Sequence, residues 1–447
     1  MLRNKTITHL FLALWLVMSL ASCASDTASD ALVPQDEKVY LQVQVNVDGS
    51  DATRASTGPN GGDDGDGREN GVDNENQVNS LAVLLYQSDK DDLSDDNATI
   101  DYVYTFSGLT SVSDNTNQAV SYKTAAREID KAIVGKNYHV IVVANSEEQA
   151  QACKGKKISE IKDLVMPSVC TRDASSISAF KNFVMSSSKD AKLDFSSNAG
   201  KGTESDPYMV SVDIERLAAR IDIVPNADYA DNGYYYNVMD GDKVIGGFRL
   251  ESVVPTKVMT SGEYLIKRVS SSSDLSNLVY FGKETAGTDN KTTNYIVCPW
   301  TKDHTNHQLS HAQGSGDFYK VRDVSSSSST DKSFILDYVM ENTTTDNAET
   351  YSTGLVFKGK YYKSSEWDKA NKKPEANATG TDKEYTYTIR HSDPDGNGTA
   401  SDPMYYGIVR NNIYQIKVEG VTGKEDGLKL TINVRKWATY THEEATM

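Results

Sequence analysis

The chain has 447 residues, with 46 Lys and Arg against 63 Asp and Glu, for a formal net charge of −17 at pH 7. That length accommodates two or three domains with real cores, and the acidic balance, with no basic patch to replace phosphate counterions, argues against nucleic acid as a partner. Tyr outnumbers Phe by 25 to 10, which suits half-exposed strands where a ring needs one apolar side and a wet hydroxyl.

The N-terminus reads as an export signal. Arg3 and Lys5 precede an apolar run from Leu10 to Leu20, too short for a membrane helix, and Leu20-Ala21-Ser22-Cys23 has the form of a lipobox. Residues 1–22 are therefore expected to be removed and Cys23 acylated, with the polar stretch 24–37 as a tether. No later stretch is apolar enough to span a bilayer, so lipid is the expected hold on the membrane.

The cleanest strand in the sequence follows, VYLQVQVNV, with Val39, Leu41, Val43, Val45 and Val47 on one face and Tyr40, Gln42, Gln44 and Asn46 on the other. Its nine residues should span roughly 30 Å. The chain then loosens from Asp48 to Asn76, where GPNGGDDGDGRENG is too rich in Gly and Asp to build a core. Arg54, in Ala52-Thr53-Arg54-Ala55-Ser56, is an accessible Arg between small residues and suits cleavage by a trypsin-like protease before Ala55; Arg68, followed by Glu69, is the alternative.

Beyond Val78 the pattern predicts strands at 81–86, 102–106 and 138–144, a helix around 122–133 and a second short helix at 158–166. Strands follow at 208–212, 217–224, 247–254, 278–281, 294–297, 334–339, 354–357 and 384–389. Short strands between Ser, Gly and Asn loops indicate Greek-key sandwiches. Cys153 and Cys170 can bridge in an oxidising compartment, which would leave Cys298 unpaired; such a loop is worth about 3 kcal/mol.

Near the C-terminus, Ile408, Ile413, Ile416 and Val418 interleave with polar residues, residues 423–427 form a turn, and Leu428, Leu430, Ile432 and Val434 alternate with Lys429, Thr431, Asn433 and Arg435 up to Trp437. With the motif Tyr406-Gly407-Ile408-Val409-Arg410-Asn411-Asn412-Ile413-Tyr414, the turn Gly420-Val421-Thr422-Gly423, and the upstream segments LAVLLY (81–86), YHVIVVANS (138–146) and DIERLAARIDI (213–223), this ending resembles the Bacteroidales fimbrillins. These are type V pilus subunits, and the likeness is greatest to the shaft subunit of the short fimbria. The resemblance implies a mainly β chain with two tandem Greek-key, transthyretin-like β-sandwich domains and a few short helices. Its parts would be a signal peptide (1–22), a lipidated propeptide with a removable strand (23–54), an N-terminal sandwich (55–215) and a C-terminal sandwich (216–447).

It also implies a structural subunit at the outer membrane and cell surface, serving adhesion and biofilm formation with other pilin subunits and accessory pilins. Cleavage after an Arg would free the N-terminal strand and open a slot. The C-terminal strand of the next subunit, with Leu428, Leu430, Ile432, Val434 and Trp437, would then fill it by strand addition. The long Asp/Gly-rich stretch departs from the family and leaves the cut open between Arg54 and Arg68. Anchor or tip accessory roles also remain open.

Other chemistry finds little support. The chain lacks a G-x-S-x-G elbow and a phosphate-binding loop, and no cofactor or resident metal is expected. His304, His307 and His311 have helical metal spacing in a polar, Gly-broken stretch that reads as an exposed loop. The acidic segment 393–398 starts like a calcium loop but has Met404 where bidentate Glu is needed. A second class of function is a surface lipoprotein that stacks sugars on Trp300, Trp367, Tyr234, Tyr235, Tyr236, Tyr361 and Tyr362.

Metabolic palmitate labelling should mark the wild-type protein and leave Cys23→Ser unlabelled; equal labelling of the two would reject acylation at that residue.

Overall fold

The computed structural model describes residues 38–47, 68–113, 120–262, 265, 268–270, 278–280, 308–312, 317–390 and 406–438, with brief interruptions inside these ranges. In chain order β1 is Val39–Val47, β2 Arg68–Asn70, β3 Ser80–Tyr86, β4 Ile100–Ser107, β5 Thr110–Ser113, β6 Val120–Lys123, β7 Arg127–Ile129, β8 Asn137–Ala144, β9 Met185–Ser187, β10 Ala191–Asp194 and β11 Tyr208–Arg216. All of these except β2 form the first sheet. Its main path runs β4-β3-β8-β9-β11-β1-β6-β5, with β10 on β8 and β7 on β1.

A single residue, Leu217, separates β11 from β12 (Ala218–Val224), which belongs to the second sheet. There follow β13 (Tyr229–Ala230), β14 (Gly233–Asp240), β15 (Lys243–Met259), the small pair β16 (Arg268–Ser270) and β17 (Leu278–Tyr280), β18 (Gln308–His311), β19 (Phe334–Met340), β20 (Gly354–Lys363), the small pair β21 (Trp367–Asp368) and β22 (Lys373–Pro374), β23 (Thr381–Thr388), β24 (Asn412–Thr422) and β25 (Leu428–Ala438). The second sheet runs β19-β12-β24-β14-β15-β20-β23, and β25 pairs with β24 and β2. The chain is thus mainly β, with two large sheets packed as sandwich-like domains around a shared apolar core.

The helix expected at 122–133 is not formed. That segment is β6, β7 and a 3-10 turn at Lys131–Ile133, because its backbone groups complete the ladder along β1, and tertiary pairing overrides helical spacing. The helix expected at 158–166 shortens to α3 (Ile158–Lys162), after α1 (Asp73–Asn76) and α2 (Glu147–Gln151). His311 closes β18, so its local backbone is extended rather than helical.

A buried polar network joins the two sheets. Glu75 of α1 is fully buried and accepts from Val72 N–H at 2.7 Å, from Arg220 Nη1 at 3.2 Å and from the Tyr338 hydroxyl. Arg220 also forks onto Asp222 at 2.9 and 2.7 Å. Arg216 donates to Glu75 O, Asn76 Oδ1 and Asn411 Oδ1. The most specific motif of the sequence lies here: Arg410 donates through its N–H and Nε to Glu341 at 3.0 and 2.8 Å, while Asn411 receives Arg216. Close by, Arg172 grips Asp337 at 2.7 and 3.0 Å, and Tyr319 donates to the same carboxylate. Burial would lower the Arg172 pKa, but Asp337 outweighs it and raises it.

Removing one member of a buried ion pair leaves an uncompensated charge, a loss of about 3 kcal/mol or more. Glu75→Ala should therefore lower the urea midpoint markedly, while Glu75→Gln, which keeps the Tyr338 contact, should lower it less.

Candidate assembly groove

The N-terminal strand, though first among the described strands, lies in the interior of its sheet. β1 runs parallel to β11, with Leu41 opposite Tyr208 and Val47 opposite Ile214. On its other side it is antiparallel to β6 and β7, with Asn46 opposite Ser121 and Val39 opposite Ile129. Burial alternates along all nine residues, and Val39, Leu41, Val43, Val45 and Val47 are each at most 1% exposed. Each such side chain contributes about 1.5–3 kcal/mol when withdrawn from water. The slot around β1 thus has five apolar pockets and two edges of backbone donors and acceptors.

The opposite face of β1 is held by side-chain hydrogen bonds. Asn46 Nδ2 donates to Asp213 Oδ1 at 2.9 Å and to Ser211 Oγ at 3.2 Å, while Asn46 Oδ1 accepts from Ser121 Oγ at 2.9 Å. Gln42 Nε2 reaches Thr124 O at 2.7 Å, and Thr124 Oγ1 accepts from Val43 N–H at 2.9 Å. Thr124, Ser121 and Ser211 carry no motif, and Asp213, though it opens the segment 213–223 quoted above, gives no sign of this contact in the sequence. Their only signal was position, beside β1 once its partner strands are known.

The C-terminal strand occupies an outer position. β25 pairs antiparallel with β24 along its length, Leu428 opposite Val421, Leu430 opposite Val418, Ile432 opposite Ile416 and Val434 opposite Tyr414. Among the described residues its other side meets β2 alone, through Arg68 opposite Lys436, Glu69 opposite Trp437 and Asn70 opposite Ala438. Leu430 is partly buried against the core. Arg68, one candidate for proteolysis, is therefore engaged in a strand, while Arg54 and Ala55 lie outside the described residues, as do Cys23, Cys298, Trp300, His304, His307 and the acidic segment 393–398.

Cys153 and Cys170 are both buried free thiols, so the bridge allowed by their spacing is not formed. Cys153 donates to Gln149 O at 3.3 Å on the turn after α2, whereas Cys170 lies beside Arg172 at the junction. Burial pushes the two thiols up to about 11 and about 12. The aromatic groups suggested for sugar stacking are largely core: Tyr234, Tyr235, Tyr236, Tyr362 and Trp367 are buried. Trp367 lies across Gly247, where any Cβ would collide with its ring, and donates to Asn237 at 2.8 Å. Among the described residues no group of His, Cys, Asp and Glu could hold a metal, and no helix is long and apolar enough to cross a membrane.

A family profile described as major fimbrial subunit protein (FimA) matches residues 41–216, from within β1 to the end of β11. The chain is similar to the solved structure of the tip fimbrial protein Mfa3 from Porphyromonas gingivalis with C-terminal truncation, at 12% identity over 90% of this chain and 100% of that one, with a TM-score of 0.41. It is also similar to a fimbrilin (fimA) from Porphyromonas gingivalis W83, at 14% identity over 90% and 99% and a TM-score of 0.39. A fimbrial assembly protein from Parabacteroides distasonis ATCC 8503 aligns at 11% identity over 89% and 95%, with a TM-score of 0.38. No curated protein matches the chain.

Cys153 and Cys170 should resist iodoacetamide at pH 8 in the folded protein and react without any reductant once urea unfolds it, as peptide mapping would show; resistance in urea would indicate a bridge.

Proposed function

We propose, from the match of residues 41–216 to the major fimbrial subunit profile, that this protein is the polymerising subunit of a type V pilus, in which the removable strand is β1 and the donated strand is β25. One observation carries the reading. The strand nearest the N-terminus fills an interior slot of its sheet, while the strand nearest the C-terminus lies at an outer position with one long partner.

In this reading the precursor is exported as a lipoprotein held at the outer membrane by acyl chains on Cys23, and β1 occupies the slot during folding. A trypsin-like, Arg-specific protease then cuts after Arg54, so that the subunit begins at Ala55 and β1 leaves. Loss of β1 uncovers the five pockets and the edges of β11, β6 and β7, and an open edge of this kind recruits another strand. β25 of the next subunit enters by β-augmentation, satisfying backbone groups and pockets together. Donor and acceptor are different surfaces of one molecule, so the contact is heterologous and does not close, and the product is a filament. The Arg68 alternative is less favoured, because Arg68 is paired in β2 and a protease needs an unpaired, extended segment. Residues 55–215 and 216–447 are proposed as the two domains, the division falling beside the change of sheet at Leu217.

N-terminal sequencing of sheared filaments should give Ala55-Ser56-Thr57. A start at Cys23 would reject strand release, and a start at Glu69 would move the cut to Arg68. Replacing Leu430 and Ile432 by Asp should abolish filaments seen by electron microscopy, since the pockets would receive charge; filaments of normal length would refute the donor assignment.

A further inference from the structure

We propose that the register of the donated strand is set by Asn433, which takes the place of Asn46 in the slot; this rests on the pilus reading above and specifies the contact. Placed in the same direction, LQVQVNV of β1 (41–47) and LKLTINV of β25 (428–434) superimpose with Leu41 on Leu428, Asn46 on Asn433 and Val47 on Val434, all identical. The intervening inward residues Val43 and Val45 correspond to Leu430 and Ile432, and the outward residues Gln42 and Gln44 to Lys429 and Thr431.

The slot holds specific partners for an Asn at that position. Asp213 Oδ1 and Ser211 Oγ accept from the Asn46 amide, and Ser121 Oγ donates to its carbonyl. A side chain with both an NH₂ and a C=O satisfies all three, and Asn433 supplies it. At the Gln42 position Thr124 O receives a donor at 2.7 Å, and the ammonium of Lys429 is a donor in the same place.

The competing registers are worse for stated reasons. A slip by one residue turns Lys429, Thr431, Asn433 and Arg435 into the pockets. A shift by two, placing Leu428 at Val39, fills four pockets but puts Lys436 at Val47, which is fully buried, and a buried unpaired ammonium is strongly disfavoured. In the Asn register Lys436 lies two residues past the end of β1. The Val39 pocket then has no occupant from β25, and the chain can leave the slot at Gly427, immediately before the strand begins.

Paired cysteines read the register directly, because Asn46 and Ser121 are opposite one another in the antiparallel ladder. Filaments of Asn433→Cys, Ser121→Cys subunits, mildly oxidised, should give a ladder of disulfide-linked multimers on a non-reducing gel, at least tenfold more than Arg435→Cys, Ser121→Cys subunits. A ladder from the Arg435 pair would overturn the Asn register and leave strand donation intact, as would filaments with no bond in either pair. If the double variants do not polymerise, synthetic peptides covering residues 427–438 with Cys at 433 or at 435 replace the donor, offered to Ser121→Cys subunit already cut after Arg54. Bonding by the 433 peptide supports the proposal; bonding by the 435 peptide, or by neither, overturns it. Failure of strand donation by β25 would show differently, as unaltered filaments from the Leu430→Asp, Ile432→Asp subunit, and failure of the pilus reading as no filaments from the wild-type subunit cut after Arg54.

Discussion

The parallel ladder between β1 and β11 is the contact on which the first sheet depends. β1 is the first described strand in the chain, yet it has a neighbour on each side, and five of its side chains are sealed from water. A strand so placed cannot be withdrawn without leaving backbone groups unpaired on β11 and on β6 and β7, and buried polar groups without partners are costly. In the proposed polymer, removal of β1 is therefore followed by a strand that replaces it. The physics of the slot selects the replacement: an extended segment with apolar residues at every second position.

The junction network explains how a cut upstream of it need not unseat the rest. Glu75 and Asn76 lie downstream of both candidate Arg residues, and they tie α1 to Arg216, Arg220 and Tyr338 in the body of the protein. The proposed cleavage, at Arg54 or at Arg68, would leave these bonds on the retained side. Buried ion pairs of this kind add little net stability compared with apolar packing, but breaking one partner is expensive, so the network acts chiefly to fix the geometry of the segment between β11 and β12. Glu341 shows the tension: burial pushes its carboxyl above the ordinary range even though Arg410 pulls it down.

Much of the architecture was legible because period-2 alternation is hard to mistake. VYLQVQVNV and LKLTINV were readable as strands from their side chains alone, and the structure has strands there. The segment 122–133 was misread because its apolar residues also fit helical spacing, and only the neighbouring β1 makes extended backbone preferable. Tyr234–Tyr236 and Trp367 looked available to ligands because a sequence does not show which face of a strand is covered; Gly247, which lets the Trp367 ring approach the backbone, was a signal that only the fold makes readable. The Arg410-Asn411 pair was noticed as a family motif, but its physical role, gripping Glu341 and receiving Arg216, follows only from the meeting of the two sheets.

β25 faces the same requirement in its own sheet as it would in a neighbour's slot. Its alternate positions Leu428, Leu430, Ile432 and Val434 pair in register with Val421, Val418, Ile416 and Tyr414, and those four residues of β24 are buried. One apolar face therefore serves either edge, and exchange of partners trades one ladder for another without demanding a new pattern of side chains. What differs is the alternative each edge faces. β24 keeps β12 and β14 when β25 departs, so its loss removes one long ladder and the three-residue pairing with β2. The slot left by β1 loses a ladder on both sides at once. In the proposed polymer the direction of assembly follows from where each strand sits, an interior slot against an outer edge, rather than from any difference in their hydrophobicity.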